Sequence, residues 1–195
     1  MAKVIGIIRD EHRSIAGVLR GMEYLLKEIR EQGAKVDGRI FWAMLYYLDA
    51  FAERMHHPKE DHFLFRVLKA RTGEAADVIR ELELEHARGG QQMKHLEQSL
   101  ARYQEGGDRE FPAFAEAADR FIRGYGEHMR KEEQIVLPVA VKALSDSDWE
   151  EIDRAFEENR DPLGSGREEK DFEKLFARIV NLAPPPIGVG PALSR

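Results

Sequence analysis

The chain has no cysteine. That absence excludes disulfides, thiolate nucleophiles, zinc–thiolate sites and iron–sulfur clusters. Long apolar runs are missing as well. The N-terminal patch Val4, Ile5, Ile7, Ile8 is too short for a signal peptide and lacks a small-residue cleavage site. Nothing approaches the ~20 apolar residues of a membrane span. Nor is there a surplus of positive charge. With 36 acidic against 30 basic residues and a formal charge of −6, nucleic acid and anionic membranes are poor partners. A soluble, cytoplasmic protein is the expectation. Its 195 residues suffice for one domain with a sizeable core and make two unnecessary.

What the chain does have is apolar periodicity. Residues Ile5, Ile8, His12, Ile15, Leu19, Met22, Leu26, Ile29 recur at three- and four-residue steps until Gln32-Gly33 breaks the pattern. A second seam runs Phe41, Leu45, Leu48, Ala52, His56, Glu60, Phe63, Val67, Ala70 and stops at Thr72-Gly73. A third runs Ala75, Ile79, Leu82, His86, Gly89, Met93, Leu96, Leu100 to Gly106-Gly107. The fourth, opened by Asp108 or Arg109, runs Phe114, Ala118, Phe121, Tyr125, His128, Glu132, Ile135, Val139 and ends at Ser145 to Ser147. Each predicts an amphipathic helix of about 25 to 35 residues, and the short connections predict antiparallel neighbours. The expected fold is all-α, an up-down-up-down antiparallel four-helix bundle over residues 1–144. A C-terminal extension over residues 145–183 should form two shorter helices packed on it. The first would open at a capping box, Ser147 to Glu150, and run to about Asn159. The second, capped by Ser165 to Glu168 after a loop at 161–166, would pack through Phe172, Leu175, Phe176 and Ile179. Residues 184–195, opened by Pro184-Pro185-Pro186, read as an extended Pro/Gly-rich tail.

Polar residues interrupt the four seams at core positions, where they are costly unless satisfied. His12, His56, His86 and His128 come one from each segment, and His56 and His128 are each followed one turn later by a glutamate, Glu60 and Glu132. A helix puts residues i and i+4 on one face. In an up-down-up-down bundle the four histidines fall at a similar height, within roughly 10 Å at ~1.5 Å per residue. Imidazole and carboxylate without thiolate suit iron, manganese, zinc, nickel or copper. Glu60 and Glu132 are natural bridges between two cations, capped from outside by the histidines.

The stretch His56-His-Pro-Lys-Glu60-Asp-His-Phe-Leu-Phe65, its partner His128-Met-Arg-Lys-Glu132-Glu-Gln-Ile-Val-Leu-Pro138, and the single-histidine segments Asp10-Glu-His12 and Glu85-His86 resemble the hemerythrin-like (HHE cation-binding) family over about residues 3–143. The resemblance implies a non-haem di-iron centre ligated by His12, His56, Glu60, His86, His128 and Glu132. Oxygen-carrying hemerythrins resemble His-x-x-x-His on the third helix, but here Gly90 follows His86. One metal is therefore expected to lose a protein ligand and to leave a position open for oxygen, nitric oxide, peroxide or water. The function this implies is a cytoplasmic di-iron protein that binds a small diatomic or peroxide ligand in sensing or stress response. Alternatives are a redox enzyme turning over peroxide or nitric oxide, a donor of iron for cluster repair, or iron storage. A second copy of the chain, in a homodimer, is a candidate partner.

Several further residues have two readings. His57, about 100° round the helix from His56, is either an extra ligand or an interface residue, and Asp61 either supports a ligand or is solvated. Tyr125, one turn before His128, either approaches the metals or simply packs. Glu11, Glu85 and Glu127 each precede a histidine and could orient imidazoles of neighbouring helices. His62 and His95 read as surface residues. Ile15, Ala16, Phe63, Leu64 and Ile135 read as a dry wall around the site. Pro58 and Pro138 predict kinks.

Overall fold

A computed structural model describes residues 3–158 and 166–193. Four long helices form the bundle: α1 (Lys3–Gln32), α2 (38–71), α3 (Ala76–Gly106) and α4 (111–143). Each packs on the next around the ring, and α4 closes back on α1. The helix ends follow backbone chemistry. Gly33, at φ +63°, ends α1 in a left-handed turn, and the Ala34 N–H returns to the Glu28 carbonyl. The fourth helix begins at Phe111, after a 3₁₀ turn over Gly107–Arg109 and two or three residues later than expected, with Pro112 in its first turn where a missing N–H costs nothing.

Two features of α2 and α4 were only partly visible in the sequence. Both helices contain π turns, at Leu48–His56 and Glu60–Phe65 in α2 and Glu132–Val136 in α4. Pro58 and Pro138 lack an N–H for the α ladder, so the disturbance they announce takes the form of i→i+5 turns around the ligand-type residues. A π turn inserts an extra residue and moves the apolar face along by about one position. Hence Leu64, Phe65 and Leu68 are buried and Ala70 is exposed. Likewise Val136 is buried, whereas Ile135, expected in the wall of the site, is exposed. Ile15 and Leu64 are buried there as expected, with Ala16 and Phe63 half-buried.

The core consists of two apolar clusters separated by a polar layer. One contains Ile15, Met22, Ala52, Met93 and Met129; the other contains Ile8, Leu64, Leu82 and Val136. His12, His56, His86, His128 and both glutamates lie between them along each helix. The additional helices each cover one cluster. α5 (Asp146–Glu158) seats Ile152 and Phe156 in the second, and Asp153 accepts from the Val4 N–H at the start of α1. Its capping box is Ser145 to Asp148, two residues earlier than expected: the Ser145 N–H donates to Asp148, and the Asp148 N–H to the Ser145 hydroxyl. α6 (Gly166–Leu182) seats Leu175 and Ile179 in the first cluster and sets Phe176 against Tyr47. Residues 161–165 of the expected loop at 161–166, the cap at Ser165 and the side chain of Phe172 fall outside the described residues, and Gly166 is already helical.

The tail is not extended over 184–190. The Val189 N–H donates to the Val180 carbonyl and the Gly190 N–H to that of Ala183, while Ile187 packs on the core beside Gly21. An apolar residue just after the proline run supplies the reason to fold back. No described helix is long and apolar enough to cross a membrane.

Candidate metal centre

The four histidines meet in two pairs. The Nε2 atoms of His12 and His56 are 3.0 Å apart, and those of His86 and His128 are 3.1 Å apart. Glu132 lies between the pairs, with Oε2 at 3.3 Å from His12 and Oε1 at 3.2 Å from His128. Glu60 lies opposite, with Oε2 at 3.5 Å from His56 and 4.0 Å from His86. The ligand atoms of His12, His56, Glu60 and Glu132 all fall within 4.8 Å of one another, and so do those of Glu60, His86, His128 and Glu132. Two donor sets thus share two carboxylates.

Each imidazole points Nε2 inward because a carboxylate on another helix holds its Nδ1. Glu11 of α1 holds His56 at 2.7 Å, and Asp61 of α2 holds His86 at 2.8 Å. Glu85 of α3 holds His128 at 2.8 Å, and Glu133 of α4 holds His12 at 2.9 Å. The four acids form a closed circuit around the bundle, each adjacent in sequence to a ligand-type residue on its own helix. Such supports fix the tautomer and ring orientation that a cation needs. Lys59 and Lys131 brace the circuit at Glu11 and Glu85. Glu11, Glu85 and Asp61 therefore act as one of their two readings had it. Glu127 does not: it is exposed, and Glu133 fills the role. The signal for Glu133 was its match to Asp61, each following a bridging-type glutamate.

His57 joins the second set. It is buried, stacks on His86 with ring centroids 4.1 Å apart, and presents a nitrogen within 4.8 Å of ligand atoms of His86 and His128. Glu53, one turn earlier, comes to 3.5 Å from His57 Nδ1 and accepts from the Tyr125 hydroxyl at 2.7 Å. That hydroxyl also lies 3.3 Å from His57 Nε2. Glu53 was missed in the sequence, although Glu53-x-x-x-His57 repeats the one-turn spacing in reverse order. Gly89 makes the arrangement possible, since a Cβ there would overlap the Glu53 carboxylate. The space expected at Gly90 is different. Gly90 is exposed and borders an outer groove beside His86, and the fifth imidazole arrives from α2 instead. His62 and His95 are exposed, as expected.

The electrostatics follow from burying acids and imidazoles together. Burial, and then the charge of Glu132, raises the Glu60 carboxyl well above its ordinary range. Burial also pushes Glu132 upward, but the imidazolium charges of His128 and His12 outweigh it and hold the carboxyl well below. Burial works against charging His128, yet Glu132 and Glu85 raise it to about 9. His57, desolvated and beside His86, falls to about 4. Among the described residues, both oxygens of Glu60 and of Glu132, together with His57 Nδ1, are buried without a hydrogen-bond partner. Unsatisfied buried polar atoms are rare and costly. Bound metal cations could satisfy these four orphaned oxygens, which face inward-pointing imidazoles. A metal would have to displace the protons from His12, His128 and Glu60.

Fold and donor set together define a class: an antiparallel four-helix bundle whose core can hold metal cations between histidines and carboxylates. The profile of the hemerythrin HHE cation-binding domain matches residues 3–140, and the chain belongs to that family. No curated protein and no solved structure matches the chain.

Proposed function

We propose that the protein holds two non-haem iron ions in this layer and uses them to bind a small oxidant or nitric oxide. His12 and His56 would hold one ion and His86, His128 and His57 the other, with Glu60 and Glu132 shared. The observation that carries this reading is the set of orphaned oxygens on two buried glutamates between two histidine pairs. Bound there, an iron pair supplies one-electron redox chemistry and an electrophilic position for a small ligand. The chain supplies the rest. Glu11, Asp61, Glu85 and Glu133 orient the imidazoles, and the two apolar clusters keep bulk water away. A cavity of about 100 Å³ lined by Glu53, His57, Gly89, Gly124, Tyr125 and His128 is large enough for a diatomic ligand or peroxide and adjoins only the second set.

The Tyr125 hydroxyl favours a second reading, turnover of peroxide or nitric oxide. It stands in that cavity, fixed by Glu53, as a proton donor where a ligand would arrive. Anaerobic purification with metal analysis, followed by optical spectra on adding oxygen, nitric oxide and peroxide, tests both readings. Two irons per chain and a reversible spectral change support binding, and consumption of the added molecule supports turnover. A folded protein without iron affinity contradicts both.

A further inference from the structure

Next to the metal layer, α3 and α4 line a cleft of about 440 Å³ that the function above does not use. Its floor is apolar, formed by buried Leu96, Ala117 and Phe121. Its rim is cationic and amide-bearing: Arg88, Gln91, Gln92 and His95 from α3 face Arg120 of α4. Small residues open the space, since Ala117 offers only a methyl and a Cβ at Gly124 would meet nothing within 4 Å. In a chain of net charge −6, two arginines over one apolar floor are a local reversal of sign. Arg88 and His95 have no ion pair among the described residues, and Arg120 has only Glu116 on its own helix.

We propose that this cleft binds a small organic anion with a flat apolar body, such as an aromatic carboxylate. The volume lies within the range of small-molecule sites, ~300–1,000 Å³. Guanidinium groups pair with carboxylate in two-point geometry, and the ring would replace water over Phe121 and Leu96. An inorganic anion would leave that floor unused, and a neutral hydrocarbon would leave the arginines unused. Gln92 and Gly124 line both this cleft and the cavity at His57 and His128, so a bound ring would end against the metal layer. Phe121 and Tyr125, with centroids 5.1 Å apart, continue from the floor toward His57. The inference does not rest on the metal reading and is tested on the protein as purified.

The probe is 2-naphthoate, titrated calorimetrically against the full chain, with naphthalene and inorganic phosphate as the two half-matches. The expected result is one site per chain, at least tenfold tighter for naphthoate than for either half-match. R88Q combined with R120Q, both at the rim, should weaken naphthoate at least tenfold with the fold and thermal midpoint unchanged. A117L should weaken it by filling the floor. No naphthoate binding, equal binding of phosphate, or unchanged affinity in both variants would overturn the proposal.

Discussion

The two halves of the metal layer are built alike and end differently. Glu11-His12 of α1 recurs as Glu85-His86 of α3, and at one constant offset His56, Lys59, Glu60 and Asp61 of α2 recur as His128, Lys131, Glu132 and Glu133 of α4. Both halves therefore repeat the same contacts: acid to imidazole across a helix pair, and lysine to that acid. At the same offset His57 corresponds to Met129 and Glu53 to Tyr125. Where α1 fills its layer with buried Ile15, α3 has Gly89. Repetition gives two donor clusters that could each hold a cation; the broken positions make those clusters unequal. One half is packed with buried Ile15 and Met129. The other carries a fifth imidazole, a tyrosine hydroxyl and a cavity.

The comparison can be broken at its shared element first. Glu132→Ala removes a carboxylate common to both sets and leaves charged imidazoles buried without it, a loss of about 3–5 kcal/mol for such a pair. Both metals should be lost and the thermal midpoint should drop; retention of two metals per chain would refute the shared bridge. Gly89→Leu should come next. The new side chain competes with Glu53, overpacking costs ~1–3 kcal/mol, and His57 loses its support. A midpoint equal to wild type would show that Gly89 is not needed for space.

Smaller changes sharpen the contrast. His57→Met makes the halves alike in their fifth position and should weaken only one of the two metals, read as one tight and one weak step in a metal titration. Two unaltered steps would leave His57 outside the ligand set. Glu11→Gln and Glu85→Gln remove equivalent supports, each worth about 10–100-fold in affinity. The Glu85 side chain is 37% exposed and that of Glu11 14%. Competition with a chelator should therefore show the larger loss for Glu11. The smallest effect lies outside the layer, at Asp148. The Arg71 guanidinium and Ser145 hold its carboxyl well below the usual range. Its contribution is present above the ordinary carboxylate pKa of about 4 and is lost as pH falls through the depressed value in the fold. Asp148→Asn should flatten the acid limb of the stability curve and leave its neutral shape alone.

Much of this was legible in the sequence because the evidence lay along single helices. His12, His56, Glu60, His86, His128 and Glu132 stand on the apolar seams, and period and helix direction were enough to bring them together. What was hidden arises between helices or from a change of period. Ile135 gave way to Val136 because a π turn shifts the face, and only Pro138 hinted at it. Glu133 supports His12 across a helix boundary, and the sequence signalled it only through its match to Asp61. Gly90 was read as a vacancy at the metals, but the imidazole that answers it comes from α2, and the neighbouring Gly89 is the glycine that makes room.

Mössbauer spectroscopy of the iron-loaded protein tests the inequality of the two halves most directly. Two iron environments of equal area in the wild type, becoming alike in His57→Met, are the predicted result. A single environment in the wild type, or a spectrum that His57→Met leaves unchanged, would contradict it.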